Sequence, residues 1–229
     1  HHTQFDATTG NYAAQAILPT GPAACELLDR RLLRLAHGDA TAAELVPAAA
    51  EAALLVEYEA ADPAEARAFA LDLISRLRQG DRPISARASF NPDEIDRFWQ
   101  VREAALSGLA ALRGAEQPVA VIEDAAVPVE QLPEYLRRVR EVLQRREVVA
   151  TYLIHAATGQ VDVRPFLDLR RREDAAKLWA LADEVHEIVL AMGGTISGGH
   201  GVGLSRSPWV SRQCGRLYPV FRELKAVFD

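Results

Sequence analysis

Six of the chain's 14 glycines fall in the run Gly193-Gly194-Thr195-Ile196-Ser197-Gly198-Gly199-His200-Gly201-Val202-Gly203. Glycine loses more conformational entropy on folding than any other residue, so a cluster this dense marks backbone that must approach something closely or turn through positive φ. A helical repeat leads into the run from about Arg172 to Met192, and another amphipathic stretch follows it, with a helix expected from about Val210 to Phe228. A loop so placed presents its central histidine, His200, to a pocket. The run is not a P-loop, because no Gly-Lys-Ser/Thr follows. It is not a dinucleotide fingerprint: a helix precedes it, and a frame starting at Gly201 puts Arg206 where the third glycine belongs. Ser197 lacks the glycine two residues earlier that a nucleophile elbow requires. The glycines alone also fit a helix C-cap followed by a structural loop.

Hydrophobic spacing supplies the remaining elements. Leu27, Leu28, Leu32 and Leu35 predict a helix from Pro22 to about His37-Gly38-Asp39, and a short helix follows Ala40. A strand is expected over Ala53–Ala60. Asp62-Pro63 opens a helix with Ala66, Phe69, Leu73 and Leu77 inward, ending at Gln79-Gly80. A strand is expected over Ser85–Phe90, and a helix capped by Asn91 runs through Leu112. Val119–Ala125 and Val148–His155 read as strands, with a helix between them carrying Leu132, Leu136, Val139 and Leu143. Thr158-Gly159 reads as a tight turn with Gln160–Phe166 as the returning strand. The fold class expected is α+β: a ferredoxin-like antiparallel sheet with helices packed on one face, plus a helical C-terminal segment. Residues 1–20 read as a tag remnant (His1-His2) and an irregular lead-in with a loop at Thr8-Thr9-Gly10-Asn11. Residues 21–229 read as the domain. His37 and His186 fall on helical patterns and are expected at the surface.

Composition excludes several classes. A net charge of −6 argues against an extended nucleic-acid surface. Two cysteines, Cys25 and Cys214, make neither a disulfide framework nor a metal cluster and fit a reducing compartment. No apolar run approaches the roughly 20 residues that span a bilayer, and no signal peptide is visible. The expected location is cytoplasmic, peripheral to a membrane only through an electron acceptor.

A second informative stretch runs from Ile154-His155-Ala156 to Val163-Arg164-Pro165-Phe166. With the turn at Thr158-Gly159, His155 and Asp162 lie near each other on paired strands. Imidazole and carboxylate so placed hold a divalent metal, or the carboxylate orients the imidazole, or the two form a polar pair at a sheet end. Together with the glycine run, with Phe98-Trp99-x-x-Arg102-Glu103, and with Ile122-Glu123-Asp124-Ala125-Ala126-Val127-Pro128, this stretch resembles the C-terminal domain of FAD-linked oxidases of the D-lactate dehydrogenase and glycolate oxidase type, within the vanillyl-alcohol oxidase flavoprotein superfamily. The resemblance covers about Pro22 to Asp229.

The resemblance implies an FAD-dependent oxidation of a small 2-hydroxy acid. His200 matches the base that takes the hydroxyl proton, Arg102 the arginine that clamps the carboxylate, and His155 a substrate-site and metal ligand. Gly198, Gly199 and Gly201 match the loop at the cofactor. A divalent metal such as zinc would sit on His155 and Asp162. Asp162, however, stands where the family has a second histidine, and Gly199 where it has a glutamate. FAD would be held mainly by an upstream domain of a longer flavoprotein, which is the expected partner along with an electron acceptor. This domain alone is then expected to bind FAD weakly or not at all and to be inactive. Two further readings stand beside this one: a degenerate domain that keeps the fold in a binding or structural role, and a ferredoxin-like sensor unrelated to flavin.

Overall fold

Asp29 decides where the first strand stops. Its Oδ1 accepts the backbone N–H of Leu32 at 2.9 Å, an N-cap contact that turns the extended chain into helix at Arg30. The structure, a computed structural model, describes residue 14, residues 16–79 and residues 85–228. In chain order the elements are β1 (Ala24–Asp29), α1 (Arg30–Ala36), α2 (Ala40–Leu45), β2 (Ala52–Glu57), α3 (Pro63–Gln79), α4 (Pro92–Ala110), β3 (Gln117–Pro118), β4 (Ile122–Ala126), α5 (Leu132–Arg145), β5 (Ala150–His155), β6 (Gln160–Leu167), α6 (Arg172–Ala191), α7 (Gly203–Cys214) and α8 (Tyr218–Phe228). The strands pair antiparallel, and the class is α+β. None of the described helices is long and apolar enough to cross a membrane. The expected loop at Thr8–Asn11 and the helix end at Gly80 lie outside the described residues.

The chain divides into two units. The first takes the residues up to Gly114 together with Thr151–Gly159. Here β1 is central, paired with β2 from Ala24↔Glu57 to Asp29↔Ala52 and with β5 from Glu26↔His155 to Leu28↔Leu153. A strand flanked on both sides buries consecutive residues, and Cys25 through Asp29 are all buried. Such a run carries no period of two, so the leucine spacing imitates a helix; the expected helix from Pro22 is in fact a strand followed by a helix. Val101, Ala105 and Leu109 of α4 are buried, and α4 packs on α1 and α2. The expected strand over Ser85–Phe90 has no regular structure. Its polar side chains turn instead to the start of α4, where Ser89 Oγ donates to Glu94 at 2.6 Å. His37 is half-buried, its two ring nitrogens 2.7 and 2.9 Å from the carbonyls of Leu33 and Val46.

The second unit takes Ala115–Ala150 and Gln160–Asp229. Both β3 and β4 pair with β6, and the β4 register shifts between Ile122 and Ala125. Asp124 sits in that bulge at φ 62°, in the left-handed region. The α6 helix packs on α5 and β4. The expected final helix is two helices. Gly215, at φ 50°, ends α7, and a short 3-10 turn over Gly215–Leu217 precedes α8.

His186 is not at the surface. It falls on the inner stripe of α6 with Leu181, Ala182, Val185 and Val189 and is fully buried. Trp209 of α7 covers it, ring to ring at 4.7 Å in a T-shaped contact. Neither ring nitrogen has a hydrogen-bond partner among the described residues. Burial, and then the charge of Arg206, push its pKa down to about 4; Asp183 pulls the other way and Arg212 adds to the lowering. The unfolded chain therefore binds a proton near pH 6.5 that the native state refuses until about 4. Stability is full above the unfolded pKa and falls as pH drops through this window, by about 2–3 kcal/mol at pH 4.5. Denaturant unfolding at pH 7 and pH 4.5 should show that loss, and His186→Phe should remove most of it. An unchanged pH slope in the variant would contradict the assignment.

Candidate active site

The glycine run is shaped first by its own backbone. Gly193, at φ 71°, ends α6 in the left-handed conformation. Gly194 lies so close to β4 that a Cβ there would come within 2.4 Å of the Ala126 carbonyl. Thr195 then forms a two-way bridge with Ala126, its N–H donating at 2.8 Å and its carbonyl accepting at 2.9 Å.

Beyond the bridge, one buried carboxylate organises the loop. Asp124 has no exposed surface. Its Oδ1 accepts the Gly199 N–H at 2.8 Å and the Gln160 amide at 2.8 Å. Its Oδ2 accepts the Ser197 hydroxyl at 2.8 Å, the His200 N–H at 2.9 Å and Arg206 Nη2 at 3.4 Å. The Asp124 carbonyl accepts the Gly198 N–H at 2.7 Å, and the Asp124 N–H donates to Asp162 Oδ1 at 2.7 Å. The buried Arg206 also donates to the carbonyls of Glu123, at 3.3 Å, and Gly201. Glu123 is ion-paired with Arg164. A buried carboxylate is tolerable only when charge and hydrogen bonds compensate it, and here five donors do so.

This arrangement places the residues read from the sequence. The His200 backbone is fixed by Asp124, while its side chain is 51% exposed, with Nδ1 3.9 Å from Asp124 Oδ1. The result is an imidazole with an anchored base and an open ring. The Gly198 and Gly199 amides are bonded inward to Asp124, and the Gly201 carbonyl receives Arg206. The Gly198 and Gly199 amides and the Gly201 carbonyl are thus engaged within the loop, while the ring of His200 stays exposed. Asp162 is buried beneath the bulge, holding the Asp124 N–H.

Arg102 and His155 meet in the first unit, at Glu26. Arg102 Nε lies 3.2 Å from Glu26 Oε2, and Arg102 Nη1 donates to Glu103 at 2.6 Å. His155 Nδ1 is 2.8 Å from Glu26 Oε1 and 2.7 Å from Oε2. The neighbouring Cys25 thiol is pushed up to about 12 by burial and by the Glu26 charge, which keeps it protonated and unreactive. Trp99 donates its indole N–H to Glu57 at 3.1 Å.

The donor set does not fit a tight metal site. Gly199 brings no side chain, the Asp162 carboxylate holds the bulge, and no group of three His, Cys, Asp or Glu side chains converges among the described residues. Sequence reasoning missed Asp124, Arg206 and Glu26 as site residues. Each carried a signal: an acid ending an apolar strand, an arginine just past the glycines, and a lone acid between Cys25 and Leu27.

Comparison with known proteins identifies the family. Residues 6–229 match the family model described as FAD linked oxidases, C-terminal domain. The chain is 31% identical over 226 residues to D-2-hydroxyglutarate dehydrogenase of Pseudomonas putida, covering 94% of this chain and 22% of that protein. It is 25% identical over 209 residues to glycolate oxidase subunit GlcD of Bacillus subtilis, covering 91% and 43%. It is 26% identical over 210 residues to D-lactate dehydrogenase of Archaeoglobus fulgidus, again 91% and 43%. The chain thus spans less than half the length of these relatives.

Proposed function

Because the chain belongs to the family of FAD linked oxidase C-terminal domains, we propose that it is the substrate-facing part of a longer flavoprotein that oxidises a 2-hydroxy acid. The names of its relatives support that substrate class, being enzymes of D-2-hydroxyglutarate, glycolate and D-lactate. The observation that carries the reading is His200, held by its backbone on Asp124 with its ring open to solvent.

Oxidising a 2-hydroxy acid removes a proton from the hydroxyl oxygen and a hydride from the carbon that bears it. Bound FAD supplies the hydride-accepting chemistry. His200 takes the hydroxyl proton at a ring nitrogen, the general-base role that imidazole fills most often. Arg102 and His155 receive the substrate carboxylate, the guanidinium offering paired donors. Asp124 and Arg206 keep the loop in one conformation, so His200 needs no reordering when it accepts the proton. No step is routed through a metal. The remainder of the parent protein would hold most of the FAD, and a separate acceptor would take up the electrons.

A second reading, a domain that keeps this fold in a binding role, is favoured by Gly199, by Asp162 in its structural position, and by Glu26 on Arg102 and His155. Anaerobic titration of the full-length parent with D- and L-forms of lactate and 2-hydroxyglutarate, and with glycolate, separates the two. Bleaching of the flavin absorbance by at least one acid is expected. A parent that holds FAD yet is bleached by none would overturn the enzyme reading in favour of the binding one.

A further inference from the structure

Glu26 is a buried acid with an unusual pair of partners. It projects from the central strand β1, between two apolar neighbours, and is 7% exposed. Its carboxylate is held by Arg102 Nε on one side and His155 Nδ1 on the other, while the side chains of Arg102 and His155 keep 22% and 20% exposure. Desolvating a carboxylate is costly unless cationic and hydrogen-bonding partners offset it, and these two supply the offset. The same two groups are those that a substrate carboxylate would need.

We propose that Glu26 is a resident carboxylate that competes with substrate for the Arg102–His155 pair, so that an acid binds here only by taking its place. This rests on the reading that Arg102 and His155 meet the substrate carboxylate. The geometry gives Glu26 a local concentration that no free acid matches. It therefore sets a threshold of affinity, rejecting ligands that offer a carboxylate and nothing else. An acid passes when its hydroxyl and remaining chain add contacts that Glu26 lacks. The ligand class is small carboxylates with a second polar group. The outer edge of Arg102, now donating to Glu103, is where an incoming oxygen first finds a donor. Truncating Glu26 to alanine removes a –CH2–COO⁻ group and leaves room for a two-carbon acid between the same two donors.

The test uses the 229-residue chain and needs no flavin. Glycolate is titrated by calorimetry and by NMR of the arginine side-chain N–H signals into wild type, Glu26→Ala and the double variant Glu26→Ala/Arg102→Ala. Glu26→Ala is expected to bind glycolate about tenfold more tightly than wild type, the scale of one charge-assisted hydrogen bond, with a shift of the Arg102 signal. The double variant should lose that gain. Glu26→Ser, which vacates the same space, carries the same expectation should the alanine variant unfold by circular dichroism. Equal affinity in wild type and whichever Glu26 variant folds would overturn the proposal, as would a gain that survives loss of Arg102. If the parent protein is bleached by a hydroxy acid while these variants gain nothing, the competition fails and the enzyme reading stands. If the variants gain and the parent is never bleached, the reverse holds.

Discussion

Asp124→Ala is expected to lower the unfolding free energy by about 3–5 kcal/mol, the range for breaking a buried charge pair by removing one partner. The substitution takes one of two carboxylate partners from the buried Arg206, leaving it the Glu123 carboxylate at 3.7 Å and two backbone carbonyls, and removes the acceptor for the Ser197 hydroxyl, the Gly199 and His200 amides and the Gln160 side chain. It also puts alanine at φ 62°, where only glycine, asparagine and aspartate sit without strain. Asp124→Asn keeps that backbone tolerance and one acceptor oxygen, so its loss should be about half as large. Denaturant unfolding reads the energies, and hydrogen exchange of Ser197–Gly201 reads the loop. A loss below about 1 kcal/mol for the alanine variant would mean that the loop holds its shape without the carboxylate.

His200→Ala should do the opposite: leave the fold alone and remove turnover. The imidazole is half-exposed, and alanine keeps the backbone N–H that Asp124 accepts. Stability should therefore change by no more than about 0.5 kcal/mol, the usual range for a surface substitution. In the full-length parent, kcat should fall by about 10²–10⁴, the contribution of a positioned general base, while KM should change little if Arg102 and His155 take the carboxylate as proposed. Stopped-flow flavin reduction isolates the step. Reduction at the wild-type rate would place the base on another residue.

The two variants also mark what the sequence could and could not say. The glycine run identified the loop, its histidine and the helix before it, since glycine density and helical spacing are local signals. Asp124 was invisible as the organiser because its partners lie 36 to 82 residues away in sequence and its role depends on a bulge that turns its side chain into the loop. Glu26 was hidden for a related reason. The segment around it reads as helix, because a strand paired on both sides has no alternation to detect, and a helix would have sent Glu26 elsewhere. His186 shares the helical stripe of Ala182, Val185 and Val189, so spacing carried a mark of its burial, while Trp209, which closes over its ring, comes from the next helix. Local chemistry was legible; which distant group satisfies it was not.

One element owes little to any of this. The α8 helix has no buried residue, and Leu217, Val220, Phe221, Leu224, Val227 and Phe228, at the turn before it and along it, are 48% to 83% exposed. Six large apolar side chains, mostly spaced three or four apart, make a stripe whose burial would be favourable but is not realised within the domain. Seen as mutational tolerance, the contrast with Gly194 is complete. No side chain fits at Gly194 without moving β4, whereas the α8 stripe keeps about half or more of each side chain exposed, so polar replacements there give up little burial. Substitution is thus expected to be tolerated along α8 and not at Gly194, whose backbone lies against β4.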